Sequence, residues 1–102
     1  MPARVIFELC TAVEKIGQSV EISQYPFILG RTALGLGPEA GVSRNHAEIN
    51  FDQRTMRFTI TDTQSTNGVT IDGTPIPPNQ ARDLRPGSTV GLGQLVIMRF
   101  EV

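Results

Sequence analysis

Ala47-Glu48-Ile49-Asn50-Phe51, Asp52-Gln53-Arg54-Thr55 and Met56-Arg57-Phe58-Thr59-Ile60-Thr61 follow one another without a break, and this stretch decides the fold. Apolar and polar side chains alternate at period two on either side of a polar tetrapeptide, the pattern of two half-buried strands joined by a turn. Working outward, Val96, Met98, Phe100 and Val102 alternate with Ile97, Arg99 and Glu101 in the same way. Asp72-Gly73 separates Val69-Thr70-Ile71 from Thr74-Pro75-Ile76, and Asp-Gly favours tight hairpin turns with positive φ. Pro86-Gly87 and Gly93-Gln94 mark two further reversals. Between Leu9 and Ile16 the reading is strand, turn, strand rather than helix. Many short strands at close spacing predict an all-β sandwich or barrel. Its core draws on Phe7, Phe27, Phe51, Phe58 and Phe100, with Met56 and Met98 on core-facing positions and Cys10 as a small buried apolar residue.

Length and composition narrow the function. The chain of 102 residues is enough for one compact domain, taken as 1–102, with 39% hydrophobic and 19% charged residues. A net charge of −1 gives no global field for nucleic acid or acidic membranes. Arg82, Arg85 and Arg99 are scattered rather than striped with aromatics, so no nucleic-acid partner is expected. One cysteine excludes an internal disulfide and a Cys-based zinc site, and one histidine excludes a His-rich metal centre. No cofactor or metal is expected. Glu8 interrupts the apolar start, no secretory signal follows, and no run approaches the roughly 20 apolar residues of a membrane span. The expected setting is cytoplasmic. The strand pattern reaching Val102 suggests a module, attached to or cut from something larger.

Three polar clusters sit at expected strand ends, where a rigid sheet can hold binding groups. They are Gly30-Arg31, then Ser43-Arg44-Asn45-His46-Ala47, then Asp62-Thr63-Gln64-Ser65-Thr66-Asn67-Gly68. Arg31 and Arg44 offer planar guanidinium forks, Ser43 and Thr66 hydroxyls, and Asn67 an amide that both donates and accepts. A donor-rich set with one acidic member, Asp62, suits a phosphate or carboxylate. Each cluster alone also has a plain reading: a turn glycine with a solvated arginine, hairpin chemistry, a polar turn. Ser43 with His46 could also be a nucleophile and its base, but that needs an orienting Asp52 or Asp62 and an oxyanion site that nothing in the sequence demands. Gly35 to Gly41 lacks the Gly-Lys-Ser/Thr ending of a phosphate loop and leads to no helix.

In order and spacing, the three clusters together resemble the forkhead-associated (FHA) domain family, and Leu84-Arg85-Pro86-Gly87 through Leu92-Gly93 resembles its late turn and final hairpin. The likeness spans Phe27 to Phe100. It implies a β-sandwich of about eleven short, mostly antiparallel strands whose loops bind phosphothreonine peptides. By that resemblance Arg31 pairs with the phosphate, Ser43 donates its hydroxyl to it, and Arg44 adds a second cation. Thr66 lines the phosphate and methyl pocket, and Asn67 holds the peptide backbone. Gly30, His46 and Gly68 support the site, His46 by bracing the loops. Val69 and Asp72 depart from the family's usual residues at structural positions, and Gly41 has no side chain with which to read a flanking residue. The function implied is a non-enzymatic phosphothreonine-recognition module in serine/threonine kinase signalling. Its partner is a phosphothreonine-containing protein or peptide, including a segment of a longer chain of its own. The alternative is a β-sandwich that serves as an interaction surface independently of phosphorylation.

Overall fold

A computed structural model describes residues 2–102. Ten strands form in chain order: β1 (Ala3–Leu9), β2 (Ser19–Ile22), β3 (Phe27–Leu29), β4 (Ala47–Asp52), β5 (Arg57–Asp62), β6 (Val69–Ile71), β7 (Thr74–Pro75), β8 (Arg82–Leu84), β9 (Thr89–Leu92) and β10 (Val96–Glu101). They make a six-stranded sheet in the order β2-β1-β10-β9-β6-β7 and a four-stranded sheet in the order β3-β4-β5-β8. Every strand pairing is antiparallel. The class is the expected one, with ten strands rather than eleven. Two single 3-10 turns, Val13–Lys15 and Pro38–Ala40, are the helical content among the described residues.

The period-two pattern sets which face is buried. Val96, Met98 and Phe100 point inward from β10, Val5 and Phe7 from β1, Ala47 and Ile49 from β4, and Phe58 and Ile60 from β5, all into one core. A strand with one buried face has its register fixed, because a one-residue slip would turn that face to water. Phe7 pairs with Met98 but Leu9 pairs with Ile97, so Glu8 is the extra residue of a bulge. The Phe51, Phe58 and Phe100 rings run across the sandwich with centroids 4.7 and 5.0 Å apart, and Tyr25 joins at 5.9 Å from Phe51. Tilted and edge-on contacts at these distances add to what area burial alone supplies.

Several local expectations are corrected. Met56 is 59% exposed with φ 58°, outside the strand that begins at Arg57, so the β4–β5 turn is Gln53–Met56. Phe27 and Phe51 are half-buried at the margin of the core, where Phe7, Phe58 and Phe100 are fully inside. Val102 lies past the end of β10 and is 46% exposed. Between Leu9 and Ile16 the chain makes a 3-10 turn, and the next strand waits until Ser19. Asp72-Gly73 does form the tight turn, with φ 50° and 83°. Met98 and Cys10 are buried as expected.

Candidate functional site

Antiparallel pairing brings the three polar clusters together. Leu29 at the end of β3 pairs with Ala47 at the start of β4, and Ala47 also pairs with Asp62 at the end of β5. The segments that follow Leu29, precede Ala47 and follow Asp62 therefore emerge at one end of the four-stranded sheet.

Gly30 is what lets the first two segments touch. A Cβ there would collide with the Arg44 carbonyl oxygen, so any side chain would push the Ser43-Arg44 segment away. The close approach is secured by hydrogen bonds on either side. The Arg31 N–H donates to the Ser43 carbonyl at 3.0 Å, and the His46 N–H to the Leu29 carbonyl at 3.1 Å.

His46 ties the second segment to the third. Its side chain is fully buried, and the Ser43 N–H donates to its Nδ1 at 3.0 Å. An accepting Nδ1 carries no proton, so the neutral ring is protonated at Nε2, which donates to the Gly68 carbonyl at 2.6 Å. The Gly68 carbonyl also accepts from the Gly93 N–H at 2.9 Å, which joins the β9–β10 hairpin to the same end. Both ring nitrogens are occupied by backbone groups, so neither is placed to take a proton from the Ser43 hydroxyl. Asp62, buried in turn, accepts from the Ser65 N–H at 2.8 Å rather than orienting His46. This is a brace, and the geometry of a nucleophile with its base does not form.

The third segment is folded by its own side chains. The Ser65 Oγ accepts from the Gly68 N–H at 3.0 Å, and the Thr63 hydroxyl donates to the Asn45 carbonyl at 2.6 Å. These side-chain bonds stand in for a backbone ladder in a loop that has none. The Thr66 N–H donates to the Ser43 Oγ at 3.2 Å. That bond fills an acceptor site of the hydroxyl and leaves its proton free to point at an outside acceptor. The Asn67 Nδ2 donates to the Gly41 carbonyl at 2.8 Å, and the residue is exposed.

Arg31 is half-buried and Arg44 exposed, and among the described residues neither is in an ion pair. The structure thus places Arg31, Ser43, Arg44, Thr66 and Asn67 around one end of the sandwich, with Gly30, His46 and Gly68 beneath them. Sequence reasoning missed the roles of Gly41 and Gly93. Gly41 takes φ 72° and presents its carbonyl to Asn67, and a Cβ on Gly93 would lie 3.1 Å from that same carbonyl. The available signal was the glycine after Pro38-Glu39-Ala40, a helix-ending left-handed position. It also did not foresee Lys15, whose ammonium sits 5.9 Å from the Phe7 ring centroid and 3.2 Å from where a Gly35 Cβ would be. Beside Asn67 lies a depression of about 280 Å³ lined by Ala40, Gly41, Asn67, Gln94 and Leu95.

A β-sandwich that gathers arginines and hydroxyls on hydrogen-bonded loops at one end holds polar groups on a rigid frame. Comparison with known proteins makes the class specific. The family model of the FHA domain matches residues 15–93, and the chain belongs to that family. No curated protein matches the chain. Among solved structures, it is similar to an FHA domain studied for phosphothreonine-dependent FHA domain interactions, at 25% identity and TM-score 0.75, over 100% of this chain and 97% of that one. It is also similar to the FhaA FHA domain complexed with the intracellular domain of Rv3910, at 26% identity and TM-score 0.72, over 97% and 99% of the two chains. Mycobacterium tuberculosis EmbR, solved with a low affinity phosphopeptide, shares the fold at 21% identity and TM-score 0.75, over 99% of this chain and 24% of that one.

Proposed function

We propose that this domain recognises phosphothreonine peptides through the loop end built by Arg31, Ser43, Arg44, Thr66 and Asn67. The observation that carries the reading is the Ser43 hydroxyl, which accepts from the Thr66 N–H and so has its own proton free, at the same end of the sandwich as two arginines that no carboxylate neutralises among the described residues. A phosphate brings about −1.5 to −2 charge and three strong acceptor oxygens to such a set. Charge-assisted bonds from Arg31, Arg44 and Ser43 would hold it, with little backbone movement because the loops are already tied by His46. Asn67, anchored through Nδ2, keeps Oδ1 to accept a peptide N–H. Packing of the threonine methyl against Thr66 would favour phosphothreonine over phosphoserine by roughly 1–3 kcal/mol. The depression between Ala40 and Leu95 would receive a flanking residue, and its lining favours an uncharged one. The partner class that follows is a protein phosphorylated on threonine by a serine/threonine kinase. Complexes of similar FHA domains with a phosphopeptide or a partner domain support the same reading.

The test is an NMR titration of the ¹⁵N-labelled domain with a phosphothreonine peptide library. Saturable shifts at Arg31, Ser43, Arg44, Thr66 and Asn67 are expected, and they should vanish on phosphatase treatment of the library. Shifts that persist unchanged after dephosphorylation would transfer the function to a phosphorylation-independent surface.

A further inference from the structure

A second concavity, larger than the depression beside Asn67, lies at the other end. β4 runs six residues away from the phosphate-binding loops, a distance of about 20 Å, before reaching the Gln53–Met56 turn. Between that turn and the segment after β8 is a groove of about 350 Å³, within the size range of ligand pockets. Phe58 and Leu84, both buried, make its floor, and Met56, Pro86 and Val102 make apolar walls. None of the residues placed in the phosphate site lines it.

Two features distinguish this groove from a packing defect. The first is Met56, which holds a left-handed backbone conformation, φ 58°, that glycine or asparagine would adopt at lower cost. Its flexible apolar side chain is 59% exposed at the groove's edge, a placement typical of adaptable binding surfaces. The second is charge. The lining carries Arg57 and Arg85 against Asp83, in a chain whose net charge is −1. Asp83 pairs with Arg57 at 3.4 Å, so among the described residues Arg85 has no carboxylate partner.

We propose that this groove is a second docking site, which takes a bulky apolar side chain from a partner's peptide segment while an adjacent carboxylate of that segment pairs with Arg85. The Arg57–Asp83 pair is exposed on both sides, and such pairs are worth little, so Arg57 is free to shift toward a second ligand carboxylate. Because the groove and the phosphate-binding loops occupy opposite ends, both can be filled at once. The domain then works as a two-ended adaptor, one end gated by phosphorylation and the other constitutive. Docking in the groove does not depend on phosphate recognition.

The experiment uses two unphosphorylated, end-capped peptide pools, each with Leu, Phe or Met fixed at the centre. One pool has Glu on both sides of that residue and the other has Lys. In NMR titrations the Glu pool is expected to give saturable shifts at Met56, Arg57 and Leu84 to Gly87, with at least fivefold weaker binding of the Lys pool. Met56→Gly should reduce binding of the Glu pool at least fivefold while leaving the thermal midpoint unchanged or higher, which a purely structural methionine would not do. Arg85→Glu should reverse the preference between pools. Absence of saturable shifts at these residues, equal binding of both pools, or unaltered binding by the two variants would overturn the proposal.

Discussion

His46→Ala is the perturbation that most exposes how the loop end is held. The imidazole is fully buried and bridges the Ser43 N–H to the Gly68 carbonyl. Truncation leaves the part-buried Ser43 N–H without its acceptor, at about 1 kcal/mol, the lower end of the cost of an unsatisfied donor. The Gly68 carbonyl loses less, because it keeps the Gly93 N–H at 2.9 Å. Removing a buried ring adds a cavity cost, for which large-to-small truncations suggest roughly 2–4 kcal/mol. Together the expected loss is about 3–5 kcal/mol, a large share of the roughly 5–15 kcal/mol that holds a domain folded. At about 4–8 °C per kcal/mol for a domain of this size, Tm should fall by roughly 12 °C or more. The chain has no tryptophan, so urea and thermal unfolding are best followed by circular dichroism. Two further variants separate the bonds. In His46→Asn the short amide's oxygen can replace Nδ1 as acceptor for the Ser43 N–H, whereas in His46→Gln the longer amide reaches Gly68 and abandons Ser43. The first variant should therefore retain more phosphopeptide affinity than the second. A loss under about 1 kcal/mol in His46→Ala, or better binding by His46→Gln than by His46→Asn, would refute the bracing argument.

Three further outcomes follow from the same geometry. Arg31→Ala should weaken phosphothreonine-peptide binding at least tenfold, and because its side chain is in no ion pair among the described residues, stability should stay within about 0.5 kcal/mol; calorimetric titration and thermal melts check the two halves. Tyr25→Phe should raise stability by about 1 kcal/mol, since the Tyr25 hydroxyl is buried without a partner. Burial pushes the Tyr25 phenol above its usual pKa, so the fold favours the neutral phenol and stability falls as pH rises from the unfolded value through the folded one. The variant should accordingly lose less stability than the parent in alkaline urea titrations above about pH 10. Phosphopeptide affinity should fall as pH drops through about 6, where the phosphate takes up its second proton and gives up charge facing Arg31 and Arg44. Anisotropy titrations across that range should show a shallower dependence for Arg31→Ala.

Much of the fold was legible because alternation is a direct record of burial. The inward residues of β4, β5 and β10 stand where the period places them, and Asp72-Gly73 announces its turn by composition. Met56 departs from the alternation for a physical reason. The turn could begin at Asp52 or Gln53, and only the backbone shows which residue takes the positive φ; methionine is not a residue whose presence signals it. Alternation turns Phe27 and Phe51 toward the core but gives a direction and not a depth, and both are half-buried at its margin. The polar clusters could be read as clusters, but the sequence could not show what joins them. The contact of Gly41 with Asn67 and Gly93, and the closeness of Gly30 to Arg44, link residues distant in the chain through backbone atoms. The groove beside Phe58 was invisible for the same reason, since its walls come from three separate segments.

Fluorescence anisotropy against degenerate phosphothreonine, phosphoserine and unmodified peptide libraries tests most directly whether the loop end reads a phosphorylated threonine. Saturable binding to the phosphothreonine library is predicted, with weaker binding to phosphoserine by about tenfold and none to the unmodified peptides. Equal binding to all three libraries, or binding to none, would contradict it.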